Sequence, residues 1–238
     1  LSFSAVKDFS FCPHYYKLSR VDKIKPFTGN IYTAFGTAVH STCEEMLLKN
    51  FKIRERDYFY RQFYLELKKL DKEVLESYEE TQQEEFIEQA YVILSEFQKF
   101  MSETFGNYRV VSTEEQIRCK IPLREQTIHE YDFLGFVDCV IKTEDERYHV
   151  IDWKTCSWGW DARRKSDTMT TYQLSYYKHF YSEMSGIPLE EIDTHFVLLK
   201  RTSKKNIIEL VKVNNGGKKI NNALKLLENT AYNVDNEN

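Results

Sequence analysis

Glycine and proline are scarce, 8 and 4 residues in a chain of 238. That scarcity excludes collagen-like and loop-dominated low-complexity segments, and the 42% hydrophobic and 15% aromatic content can build a substantial core. No apolar run approaches the roughly 20 residues needed to cross a bilayer, so no membrane association is expected. The opening LSFSAVKDF lacks a basic region followed by an apolar stretch, so export is not expected. Cysteine is also limiting: Cys12, Cys43, Cys119, Cys139 and Cys156 are odd in number and none forms a C-x-x-C pair. This argues against a disulfide framework and for reduced thiols in an intracellular compartment, the cytoplasm of a cell or of a phage host, with organelle and nucleus left open. Walker A motif, glycine-rich dinucleotide loop and internal repeat are all missing, so any motor must be a separate protein.

Periodicity assigns the elements that are present. Ser4 can cap a short helix to about Leu18, interrupted at Pro13. Gly29-Asn30 marks a turn, and 33–50 reads as a helix with Val39, Cys43, Met46 and Leu47 on one face. Apolar residues recur at three and four positions through 56–80 and 83–105, giving two amphipathic helices whose aromatic stripes read as core. Residues 108–121 begin a sheet, 131–155 form a hairpin, 169–185 a helix stopped by Gly186 and Pro188, and 194–200 with 206–213 a β-pair. A helix over 218–230 closes the chain, and the tail AYNVDNEN is expected to fray. The expected architecture is one mixed α/β domain over 1–238: a helical subdomain 33–105, a core sheet with one further helix over 106–213, and a closing segment 214–238.

Chemistry concentrates in 131–155, YDFLGFVDCVIKTEDERYHVIDWKT. Side chains alternate across a strand, so Asp152 and Lys154 share a face on which Asp138 can converge from the adjoining strand. Two carboxylates beside a lysine can hold a hard divalent cation while the ammonium faces a phosphate. Four short runs, two of them inside the hairpin, follow one another: Gly36-Thr37-Ala38-Val39-His40, Gly135-Phe136-Val137-Asp138, Asp152-Trp153-Lys154 and Gln173-Leu174-Ser175-Tyr176-Tyr177. A D-x-K alone is uninformative; four runs in this order on fitting elements are specific. They resemble the G-x-x-x-H, G-x-x-D, D-x-K and Q-x-x-x-Y string of the RecB-type branch of the PD-(D/E)XK nuclease superfamily, from about Leu1 to residue 210.

The resemblance implies a restriction-endonuclease-like core, a mixed sheet flanked by helices, with an N-terminal helical insertion walling a DNA channel. It also implies that Asp138 and Asp152 bind Mg²⁺ or Mn²⁺, with His40 and the Trp153 carbonyl completing the shell; an imidazole ligand favours Mn²⁺. Lys154 would orient the attacking water or stabilise the phosphorane, and Gln173 with Tyr177, one turn apart, would contact DNA or the water network. On periodicity alone, His40 is an ordinary core or surface histidine, and Gln173 and Tyr177 belong to an unremarkable amphipathic helix. Glu115 resembles the acid of the first core strand, with Glu114 competing for that place. Glu44, one turn after His40, could orient the imidazole or simply be solvated. Trp158 and Trp160 are stacking surfaces for unpaired bases or plugs of the sheet edge. FCPHYYKL around Cys12 resembles the first cysteine segment of iron–sulfur members such as the CRISPR-associated adaptation nucleases, but no cysteine follows Cys156, so no cluster is expected.

A net charge of −4 is unexpected for a chain that must meet phosphates. Thirteen acidic and 6 basic residues in 55–104 contribute −7, which leaves +3 for the rest. Arg163, Arg164 and Lys165, and Lys200 with Arg201, are candidate DNA contacts, their alternative being solvated turns. The expected function is a metal-dependent DNA exonuclease acting on single strands or ends in recombination, repair or phage replication, with a separate helicase or recombination protein as partner. A structure-selective endonuclease of the junction-resolvase kind and a catalytically silent DNA-binding or scaffolding subunit are the alternatives.

Overall fold

The computed structural model describes residues 1–24, 29–123 and 127–236. Helix α1 (Phe3–Phe11) is capped by Ser2 rather than Ser4, the Ser2 hydroxyl accepting from the Ala5 N–H at 3.2 Å. Extended Cys12 separates it from α2 (Pro13–Tyr16), where proline's missing N–H costs nothing at the first position. Helix α3 (Ile31–Leu48) starts from a reciprocal cap: the Thr33 N–H donates to Asn30 Oδ1 at 3.0 Å and the Asn30 N–H to Thr33 Oγ1 at 2.8 Å.

The single helix expected over 56–80 is two, α4 (Glu55–Leu67) and α5 (Lys72–Glu76). After Leu67 the chain tightens into bonds from Lys69 to Glu66 and from Leu70 to Leu67, and Leu70 turns into the core. Helix α6 (Glu80–Phe105) then runs its full length to Gly106, whose φ of +62° ends it.

Five strands follow in the order β1 (Tyr108–Lys120), β2 (Asp132–Thr143), β3 (Tyr148–Cys156), β4 (Ile192–Lys200) and β5 (Ile208–Lys212). All neighbours are antiparallel except β3 and β4, whose parallel pairing requires a crossover. That crossover carries α7 (Ala162–Ser166) and α8 (Thr168–Ser185), and α9 (Gly217–Asp235) closes the chain. The result is a mixed α/β architecture with helices on both sheet faces. Cys139, Ile141, Ile151, Trp153, Val197 and Leu199 pack under α3, α4 and α6. On the other face Val140, Val150, Phe196 and Leu198 meet α8, with Ala223 and Leu227 of α9 behind. Among the described residues no helix is long and apolar enough to cross a membrane.

Of the tail expected to fray, 231–235 are helical, while 237–238 lie outside the described residues. Asp235 accepts from the Ile128 N–H at 2.6 Å and the His129 N–H at 3.1 Å and pairs with His129 Nδ1 at 2.6 Å. Asp235→Ala is expected to speed hydrogen exchange of the Ile128 and His129 amides by roughly tenfold. Unchanged protection of both amides would remove Asp235 as the anchor.

Candidate active site

The site lies where the sheet splits. β2 and β3 pair only from Lys142↔Tyr148 to Cys139↔Ile151. Beyond that point β2 remains with β1 as far as Asp132↔Lys120, while β3 remains with β4 as far as Cys156↔Lys200. The two strands are therefore the arms of a fork. At its apex Asp138 Oδ2 accepts the Trp153 N–H at 2.7 Å, so a side chain takes the donor that the ladder has given up.

Side-chain alternation reverses at the same place. Phe133 and Val137 pack on the α8 side, whereas Cys139 and Ile141, also odd-numbered, pack under α3. Opposite Asp138 on β1, between the pairs Thr113↔Cys139 and Glu115↔Val137, Glu114 has a left-handed φ of +48°, uncommon for a non-glycine. The local twist exposes Asp138 electrostatically to both layers: it feels Lys154, and its charge acts on Glu44 of α3.

Strand β3 presents Asp152 and Lys154 on the α8 side, with Nζ 2.6 Å from Asp152 Oδ2. From α8, Gln173 Nε2 donates to Asp152 Oδ1 at 2.8 Å and to Tyr177 Oη at 3.1 Å. Gly135 makes that reach possible, because a Cβ there would stand 2.8 Å from Tyr177 Cε1. From α3, His40 Nδ1 lies 3.9 Å from Asp138 Oδ2. Gly36 lets α3 come close, since its Cβ would meet Thr155 Oγ1 at 3.1 Å.

Burial pushes Asp138 up to about 6, against Lys154 and the Trp153 N–H, with Glu114 adding to the rise. Burial likewise raises Asp152 to about 6, opposed by Lys154 and reinforced by the Asp138 charge. His40 is lowered to about 4 by burial and by Lys154, so its imidazole is neutral at pH 7, and its Nε2 is buried without a partner. Two carboxylates short of positive charge and a neutral imidazole with a free nitrogen suit a divalent cation. Among the described residues no three His, Cys, Asp or Glu side chains stand together as a group that could hold a metal ion. The fit therefore rests on Asp138 and Asp152, the charge of the first acting on the second, with His40 beside Asp138.

The two further acids resolve differently. Glu44 is 7% exposed rather than solvated, and burial with Glu114 and Asp138 pushes it up to about 8. Glu115 instead acts on Tyr181 of α8, and Glu114 is the β1 acid whose charge reaches Asp138 and Glu44. Nothing in the sequence separates these neighbours, because the decision is made by the strand twist.

Several expected DNA contacts are engaged inside the protein. Lys200 is 6% exposed and pairs with Glu209 at 3.1 Å, and Lys165 pairs with the same carboxylate at 2.5 Å. Arg201 donates to Gln89 Oε1 at 2.8 Å and Ser157 Oγ at 3.0 Å and sits 4.6 Å from the Phe86 ring centre. Trp160 is 7% exposed, 5.1 Å from Phe196, with Arg164 over its ring at 4.7 Å. Trp158 is 75% exposed, and Arg163 and Arg164 are also at the surface.

A family model described as the PD-(D/E)XK nuclease superfamily matches residues 1–237. No curated protein matches the chain. Among solved structures, a protein from Eubacterium rectale provisionally named an exonuclease superposes with a TM-score of 0.57 at 12% identity, over 100% of this chain and 81% of that one. Another, SSO0001, gives 0.39 at 14% identity, over 93% and 84%. The first likeness speaks for the fold.

Gly135→Ala should displace the Tyr177 ring and lower stability by roughly 1–3 kcal/mol, read as a thermal melt. An unchanged melting temperature would contradict the close approach. The raised aspartates have a pH signature in cation-free protein. A carboxyl whose folded pKa is raised above its unfolded value of 3.8 contributes stability that is complete below 3.8 and is lost as pH rises through about 6. Asp138→Asn keeps an acceptor for the Trp153 N–H without the charge, so it should gain on the order of 1–2 kcal/mol relative to wild type between pH 5 and pH 7.5. Parallel melting curves for the two proteins across that range would refute the burial of charge at Asp138.

Proposed function

The chain belongs to the PD-(D/E)XK nuclease superfamily, and from that premise we propose that it is a metal-dependent deoxyribonuclease that shortens single-stranded DNA or DNA ends. The observation that carries the reading is the meeting of Asp138, Asp152, Lys154 and Gln173 at the apex of the β2–β3 fork. The exonuclease assignment comes from the RecB-type order of the four motifs.

Asp138 and Asp152 would hold Mg²⁺ or Mn²⁺, with His40 and the Trp153 carbonyl as further ligands. When bound, such a cation polarises the phosphate and acidifies a water. Hydrolysis forms a phosphorus–oxygen bond to water and breaks the bond to the 3′ oxygen. Lys154, anchored on Asp152, supplies fixed positive charge beside the phosphorane as its negative charge develops. Gln173 holds the other oxygen of Asp152 and links it to Tyr177, which fixes the carboxylate plane. The motif string is intact at each of these positions, which speaks against a silent scaffolding subunit. A helicase or recombination protein is the partner proposed for duplex DNA.

The test is digestion of end-labelled linear and of circular DNA, single- and double-stranded, with Mg²⁺, Mn²⁺ or EDTA. Linear strands should shorten from an end, circles should survive, and EDTA should stop the reaction. Asp152→Ala and Lys154→Ala should each lower the rate by about 10²-fold or more with the circular dichroism spectrum retained. Cleavage of closed circles would replace the exonuclease reading by an endonuclease. Binding without cutting in any metal would leave a DNA-binding subunit.

A further inference from the structure

We propose that Phe136 is a positioning residue that stacks on an unpaired base of single-stranded DNA and so delivers the neighbouring phosphate to the fork; this rests on the nuclease reading above. Among the described phenylalanines only Phe11 and Phe136 are exposed, and Phe136, at 53%, lies two residues before Asp138. Its position is built. Val137 packs on the α8 side and Gly135 lies against Tyr177, so Phe136 points from the opposite face of β2. The Tyr177 ring against Gly135, its hydroxyl accepting from Gln173 at 3.1 Å, holds this arm of the fork beside the catalytic constellation.

Helix α3 leaves that face open, because it reaches the sheet through His40 at Asp138 and Glu44 near Glu114, farther along the strands. On the open face Gln116 is the cross-strand partner of Phe136 on β1, Leu134, also exposed, is two residues away, and Arg118, opposite Leu134, is paired with Asp132 at 2.8 Å. An exposed ring beside an uncharged cross-strand partner offers a base face a surface. Across the fork, exposed Trp158 follows the end of β3. Exposed rings thus stand on both arms of a cleft whose apex holds the acids. Rings bind unpaired bases with little sequence preference, whereas a duplex keeps its base faces stacked internally.

The experiment is steady-state hydrolysis by wild type, Phe136→Ala and Phe136→Tyr of a single-stranded oligonucleotide and of a series in which one abasic nucleotide is walked along it. Phe136→Ala should raise KM about tenfold on the intact strand with kcat little changed. Phe136→Tyr should restore KM. At one abasic position the wild type and Phe136→Ala should become equal, because the base that the ring contacts is gone. An unchanged KM for Phe136→Ala, or the same loss at every abasic position, would overturn the assignment while leaving an active nuclease. The second pattern is the one expected if the ring only supports the fold or docks a protein. A wild type that cuts no DNA in Mg²⁺ or Mn²⁺ would sink the nuclease reading and this inference with it.

Discussion

Everything at the site depends on one hydrogen bond, from the Trp153 main chain to the Asp138 carboxylate. A strand pair that separates must leave main-chain donors unsatisfied, and a buried orphan N–H is costly. Here the first donor past the last paired residues is met by a side chain. The same carboxylate is thereby held against Trp153, whose indole is fully buried and packs edge-on to Phe97 of α6 at 5.4 Å. Core packing thus sets the position of the acid. The remaining acid, the lysine and the glutamine take their places from β3 and from α8, the helix that makes the parallel β3–β4 pair possible.

The energetic cost of this arrangement is visible in the ionisation of its members. Asp138, Asp152 and Glu44 are all pushed up and His40 down, and in each case burial is the first cause. Lys154 opposes the rise at both aspartates yet does not cancel it. A site that concentrates acid beyond its internal base is under-neutralised, which is the electrostatic condition under which a cation binds. The motif glycines serve the same end by geometry. Gly36 and Gly135 are not hinges; at Gly135 a tyrosine ring comes closer than a Cβ allows, and at Gly36 a Cβ would crowd Thr155.

The legible part of the molecule was what short-range rules govern. Strand parity puts Asp152 and Lys154 on one face, and the order of the four motifs groups His40, Asp138, Gln173 and Tyr177 with them. The order of the core strands and the amphipathic helices also followed from periodicity. What failed to show was decided by distant partners. Lys200 and Arg201 read as a basic surface because Glu209 and Gln89, which engage them, belong to other elements. The tail read as frayed because the amides that Asp235 accepts lie more than 100 residues away, at |i−j| of 107 and 106. Glu114 and Glu115 were indistinguishable because only the reversal of side-chain alternation at this point, invisible to a two-residue rule, assigns one to the site.

Arg201 carries a mechanical implication. Its guanidinium joins Ser157, beside exposed Trp158, to Gln89 of α6, and packs against the rings of Tyr32 and Phe86. The main chain adds bonds from Arg201 to Cys156 at 2.8 Å and from Thr202 to Ser157 at 3.1 Å. The rim that follows β3 is thus tied to the helical layer at several points. Under the proposed function, a strand entering the fork would meet an aperture whose edge is set by the helical layer, and selection there would work by what passes rather than by what the protein closes upon.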